Sequence, residues 1–205
     1  MEPGQSRAYL NLDEVALVRG GRMLLRQFSL QVKAGDAVVL TGRNGVGKSS
    51  LLRLCAGLLQ PFSGKVERSA RTALADEQLA LDPEASLGDA LHFWARLDGH
   101  PARGAVDAAL EAMALQPLAA IPVRMLSTGQ RKRAVLARTI ASGAPLWLLD
   151  EPANGLDSES LTRLEAAMAA HRAGGGAILA ASHLPLALAD ARDIALQPVA
   201  PEEAA

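Results

Sequence analysis

At 205 residues, with 49% hydrophobic and 21% charged side chains, the chain has the make-up of one compact domain, which excludes a disordered tail and a small disulfide-stapled scaffold. Lys and Arg number 21 against 22 Asp and Glu, a formal net charge of −1, so bulk charge gives no support for nucleic acid as a partner. Cys55 is the one cysteine and lies in an apolar run; it can form no internal disulfide and reads as a small buried hydrophobe in a reducing compartment. The opening MEPGQSRAYLNL lacks the basic start and apolar stretch of a secretory signal, and no apolar run approaches the ~20 residues that span a bilayer, so any membrane span is expected from a partner chain.

In chain order, residues 9–18 and 28–32 alternate with the period of half-buried strands around Gly20 and Gly21, which predicts an antiparallel start. Residues 37–40 form a short apolar run suited to a strand covered on both faces. A glycine-rich loop follows, then a predicted helix over 48–59 that Gly57 and Pro61 bring to an end. Residues 84–118 turn helical, interrupted by Gly99 and Pro101, and predict an inserted helical lobe. Further on, helix is expected at 129–142, apolar strand at 146–149, helix at 158–172 and apolar strand at 177–181, with a last short strand at 194–196 before a frayed tail. Strand, glycine loop and helix followed by βαβα alternation predict an α/β fold with a parallel sheet.

The chemistry concentrates in three segments. Gly42, Arg43, Asn44, Gly45, Val46, Gly47, Lys48, Ser49 and Ser50 spell GRNGVGKSS, a match to GxxxxGK[ST] placed after an apolar strand and at the head of a helix. Glycines there let backbone N–H groups turn toward phosphates, the helix N-terminus adds its dipole, Lys48 reaches the β/γ oxygens and the Ser49 hydroxyl suits Mg²⁺. LWLLDEP at 146–152 ends an apolar strand in two carboxylates. Successive strand side chains point apart, so Asp150 is expected to hold the magnesium shell and Glu151 to polarise the water that attacks the γ-phosphate. LSTGQ at 126–130 runs into Arg131, Lys132 and Arg133 at a helix start, with Ser127 as a plausible N-cap. Three cations in a first turn oppose the helix dipole, which predicts a polyanion docked on that turn, a solvated basic face being the alternative. His183 directly follows residues 177–182, at the strand end where α/β ligands bind.

With these motifs in this order, the chain resembles the ABC-type ATPases over nearly its whole length. The resemblance implies a P-loop NTPase core with an antiparallel β subdomain, in a single domain over 1–205 whose inserted helical lobe, approximately 79–142, contains the signature motif. It implies ATP and Mg²⁺ as cofactors and catalytic roles for Glu151, for His183 as the histidine that touches the γ-phosphate, and for Gln78 beside magnesium. Metal ligands are then Ser49, Gln78 and Asp150. Ser127, Gly129 and Gln130 would cap ATP held by a second copy in a head-to-tail dimer, and NGLD at 154–157 would contact that copy, although Asp157 could equally cap the next helix. Two departures stand out: Thr128 at the third signature position, usually glycine, and Arg19 where most members stack an aromatic on adenine. Loss of the aromatic is expected either to weaken nucleotide selectivity or to be offset by the guanidinium plane stacking instead, and Tyr9 is badly placed for that job.

Within the family, the short chain, IPVRMLSTGQRKR and SHLPL most resemble the ATP-binding subunits of bacterial haem export for c-type cytochrome assembly. That similarity implies a subunit peripheral to the cytoplasmic face of the inner membrane, attached through an integral membrane subunit. The ATPase subunit of another ABC transporter is the alternative. A soluble ABC ATPase acting on ribosomes or DNA would show tandem cassettes or a long coiled coil, and a P-loop kinase or GTPase would lack LSTGQ.

Overall fold

The structure, a computed structural model, describes residues 8–76, 80–99 and 103–199. The chain begins with β1 (Ala8–Arg19) and β2 (Arg22–Lys33), an antiparallel hairpin closed by Gly20 and Gly21. Both glycines have φ > 0, at 55° and 74°, which a two-residue turn matched to strand twist requires. β4 (Ser63–Arg68) pairs antiparallel with the other edge of β1 and completes a three-stranded sheet in the order β2-β1-β4.

A second sheet of five strands is wholly parallel, in the order β5-β6-β7-β3-β8. Its strands are β3 (Ala37–Thr41), β5 (Thr72–Ala75), β6 (Leu146–Asp150), β7 (Ala177–Ala181) and β8 (Arg192–Ala195). β3, β6 and β7 are apolar because both faces are covered, and alternate side chains divide between two cores. Leu146 and Leu148 join Leu51, Leu52 and Leu54 of α1 (Lys48–Cys55) and the inner face of the antiparallel sheet. Trp147, Leu149, Ile178 and Ala180 face the other way, onto α5 (Ser158–Ala173) and the helical lobe of α2 (Leu87–Leu97), α3 (Arg103–Ala112) and α4 (Thr128–Ala141). The lobe thus shares its core with the sheet it covers. No described helix is long and apolar enough to cross a membrane.

Three expectations need correction. α1 stops at Cys55, short of the predicted 59, because Gly57 takes φ 83° and its N–H and that of Leu58 turn back onto Leu54 and Arg53 carbonyls, at 3.0 and 2.9 Å. That is the Schellman stop. β4 and β5 were not anticipated as strands: SGKVER is mostly exposed and carries no alternation, and TALA is very short. The antiparallel strands also run longer than their alternation, because register shifts around Val15 and left-handed Glu14 and Gln27 interrupt it.

Candidate functional site: the P-loop and the carboxyl edge of the parallel sheet

Strand order builds the site. β7 lies between β3 and β6, so the loops leaving all three emerge side by side at the carboxyl edge, where α/β sheets bind ligands. From Thr41 the chain passes through Gly42 (φ 129°), Gly45 (75°) and Gly47 (121°) into α1. Buried Val46 pins this loop to the core, while Arg43, Asn44 and Gly45 are exposed. α1 has no side-chain cap and no acidic residue in its first turn, which leaves its N-terminal donors and dipole available to an anion. Beside it is a cavity of about 250 Å³ lined by Leu24, Asn44, Lys48, Ser49, Ser50 and Glu151, among others.

Lys48 is 7% exposed. Its ammonium donates to the Gly42 carbonyl at 2.8 Å and meets His183 Nε2 at 2.8 Å. An ammonium only donates, so Nε2 accepts, and His183 in this arrangement is neutral with its proton on Nδ1.

The two carboxylates diverge as strand geometry requires. Asp150 is buried, is hydrogen-bonded to Ser49, and has an Oδ1 with no partner. Burial pushes its carboxyl above the usual range; Ser49 opposes that shift, Glu151 adds to it, Arg53 opposes it and Asp76 adds to it. A buried, unpartnered carboxylate oxygen beside a hydroxyl is a donor set that a divalent cation would satisfy. Glu151, one residue on, has φ 48° and donates its N–H to Ala181 O at 2.8 Å. Its Oε2 accepts the His183 N–H at 3.1 Å, and its Oε1 lies 3.5 Å from His183 Nε2.

Ser127 caps α4 as anticipated. It forms a capping box: Gln130 N–H donates to Ser127 Oγ (3.3 Å) and Ser127 N–H to Gln130 Oε1 (2.8 Å). Gly129 lies in regular helix, and a Cβ there would meet nothing within 4 Å, so intrachain packing does not demand a glycine. None of the three lines the cavity at this chain's own P-loop. Arg131 donates to Arg124 O (2.7 Å), Lys132 to Glu151 O (2.9 Å) and Arg133 to Met113 O (2.9 Å). In this structure each of the three cations holds a carbonyl of its own chain.

Asp157 accepts the Ser160 N–H at 2.8 Å and caps α5. Gln78 and His100 lie outside the described residues. Tyr9 donates to Gly175 O (3.0 Å) ahead of β7, at the amino edge of the sheet and away from the P-loop. His171 stacks on Trp147 with centroids 3.9 Å apart. Arg19 is exposed at the hairpin turn. Sequence reasoning missed Leu24, whose Cβ lies 3.3 Å from where a Gly47 Cβ would stand, and the Lys132 contact, for which the basic run was the only signal.

A family model described as ABC transporter matches residues 25–154. The Cytochrome c biogenesis ATP-binding export protein CcmA of Sphingopyxis alaskensis is 55% identical over 190 residues, 91% of this chain and 96% of that protein. Its namesake from Zymomonas mobilis is 54% identical, covering 93% of this chain and 85% of its own. Among solved structures, an ATP-binding subunit of an ABC transporter superimposes with TM-score 0.79 at 22% identity, covering 86% of this chain and 80% of its own. A dimeric ATP-binding cassette in a post-hydrolysis state with ADP and Pi gives TM-score 0.77 at 21% identity, covering 85% and 88%.

Proposed function

The chain belongs to the ABC transporter family, and from that membership we propose that it is the ATP-hydrolysing subunit of the haem exporter that serves c-type cytochrome biogenesis. The observation that carries the ATPase reading is the convergence of Lys48, Ser49, Asp150, Glu151 and His183 at one sheet edge. The export role comes from relatives named as cytochrome c biogenesis export proteins. A CcmB-like integral membrane subunit would hold the chain at the cytoplasmic face of the inner membrane, which accords with a chain whose described helices cannot span one.

In this reading the P-loop N–H groups cradle the phosphates of ATP, and Lys48 exchanges Gly42 O and His183 for phosphate oxygens. Ser49 and Asp150 would hold Mg²⁺, with Gln78 the expected third residue; the ion supplies neutralisation of phosphate charge. Glu151 takes the proton of the attacking water, and His183, freed from Lys48, turns to the γ-phosphate. Ser127, Gly129 and Gln130 close the site of a second copy, to which the open helix face at Gly129 gives a ligand close approach.

The test replaces Glu151 with Gln in the chain co-expressed with its membrane subunit. The amide keeps the volume and a hydrogen-bond acceptor for His183 N–H but cannot take a proton, so ATP binding persists and hydrolysis falls by ~10²–10⁴. Wild-type hydrolysis by this variant would sink the role of Glu151. In cells lacking the native gene, wild type restores covalent haem in c-type cytochromes and Glu151→Gln does not. Restoration by neither overturns the export role alone.

A further inference from the structure

We propose that Lys132 is a positioning residue that ties the backbone of Glu151, and through it the carboxylate, to the signature-bearing helix α4. The inference rests on the ATPase reading above and deepens it. Lys132 Nζ donates to the Glu151 carbonyl at 2.9 Å. Arg131 and Arg133, its neighbours, hold carbonyls of the helical lobe itself, at Arg124 and at Met113 and Ala114. Lys132 alone of the three reaches out of the lobe, to the end of β6. Lys132, Thr128 and Arg131 from α4 line a cavity of about 330 Å³ with Asp150 and Pro152 from the β6 end, so helix start and strand end face each other across open space that the Lys132 contact bridges.

The carbonyl it holds belongs to a backbone that needs holding. Glu151 is a non-glycine residue at φ 48°, a conformation that L side chains adopt only when their surroundings over-determine it. The next residue is Pro152, and the residue before a proline prefers extended backbone. Glu151 is kept from that alternative by its own N–H on Ala181 O (2.8 Å), by the Asn154 N–H on its carbonyl (3.2 Å) and by the Lys132 ammonium on the same carbonyl. Of these only the ammonium is charged, and a charge-assisted bond is about twice as strong as a neutral one. Relaxation toward an extended conformation would swing the Glu151 side chain away from His183, which its carboxylate now meets through Oε2 and Oε1.

The link also has a direction. Ser127 to Gln130 form the helix start assigned to a second copy's ATP, and Lys132 follows within the next turn of the same rigid helix. A shift of α4 on engaging that nucleotide is therefore delivered to the carboxylate of this chain's own site. The two ATP sites of the dimer are coupled through one side chain.

The test compares Lys132→Met, which keeps the apolar stem and removes the cation, with Lys132→Arg, which restores a charged donor. Both are made in the full chain co-expressed with its membrane subunit, beside wild type and Glu151→Gln. For Lys132→Met, kcat is expected to fall about tenfold or more with KM for ATP changed less than about threefold, and the Hill coefficient for ATP to fall to about one. Lys132→Arg recovers most of both, and the melting temperatures of the two variants agree. Wild-type kcat in Lys132→Met, with Glu151→Gln inactive, overturns the proposal and leaves the ATPase reading intact. Equal loss in both variants with a matching fall in melting temperature overturns it as a merely structural contact. A wild-type chain that hydrolyses no ATP removes the reading and the proposal together.

Discussion

Gly42→Ala separates the glycine that the fold requires from the glycines that only the loop requires. Gly42 has φ 129°, and a Cβ built on it would stand 2.6 Å from the Leu196 carbonyl oxygen and 3.3 Å from Val46 Cγ1. Neither neighbour is a free end. Leu196 and Val46 are both 4% exposed, and the Leu196 N–H donates to Thr41 O at 2.9 Å, the bond that carries the β8 pairing past its end. A sparsely populated backbone conformation forced on alanine costs ~1–3 kcal/mol, and displacing the Leu196 peptide weakens a backbone hydrogen bond worth ~0.5–1.5 kcal/mol. The sum is about 1.5–4.5 kcal/mol, which for a domain of this size lowers the melting temperature by roughly 3–18 °C. Gly45→Ala is the internal control: it shares a positive φ of 75°, but its Cβ would meet nothing within 4 Å, so only a backbone cost of ~1–2 kcal/mol applies. Thermal unfolding followed by circular dichroism measures both variants. Nucleotide titration adds a second reading, because the Gly42 carbonyl holds Lys48 and its displacement is expected to weaken ATP binding as well. A Gly42→Ala chain that melts no lower than Gly45→Ala would refute the steric argument.

Two further expectations follow from buried groups. Burial pushes the Cys55 thiol up to about 12, against the opposing charge of Arg68. At pH 8 only about one molecule in 10⁴ carries the thiolate, so a disulfide reagent should leave the native chain unlabelled and modify it fully in denaturant; rapid native labelling would contradict this placement. Burial beside Trp147 holds the His171 imidazole below its ordinary value, with the Ala177 and Pro145 backbone opposing. A base depressed on folding contributes full stability above the unfolded value of about 6.5 and loses it as pH falls through that value toward the lower folded one. Denaturation midpoints measured from pH 8 down to pH 5 should therefore fall less in His171→Gln than in wild type, and identical slopes would refute the assignment.

The motifs were legible along the chain because each is a local solution to a local problem. A phosphate cradle needs glycines, a lysine and a hydroxyl in consecutive positions, and GRNGVGKSS supplies them between a strand and a helix that their own apolar periods announce. The same holds for the carboxylates at the end of LWLLD, and for Ser127 and Asp157, whose caps act within three residues. Exposed β4 was not legible, since its edge pairing with β1 leaves no apolar alternation to read. Charge on α4 is legible too, but its intrachain partners are not: side chains that long find whichever carbonyls the fold brings near, and sequence does not say which those are.

What the sequence determined by itself is the set of motif side chains and the short elements that carry them. Tertiary structure decided their company. The strand order puts β7 between β3 and β6, and so sets His183 against Lys48, 135 residues away, and against Glu151. It also brought Leu24 to Gly47 and Leu196 to Gly42, and aimed Lys132 at the Glu151 carbonyl. The physical reason is range: periodicity, caps and positive-φ glycines act over a few residues, whereas strand order and lobe docking are chosen by burying apolar faces contributed from the whole chain.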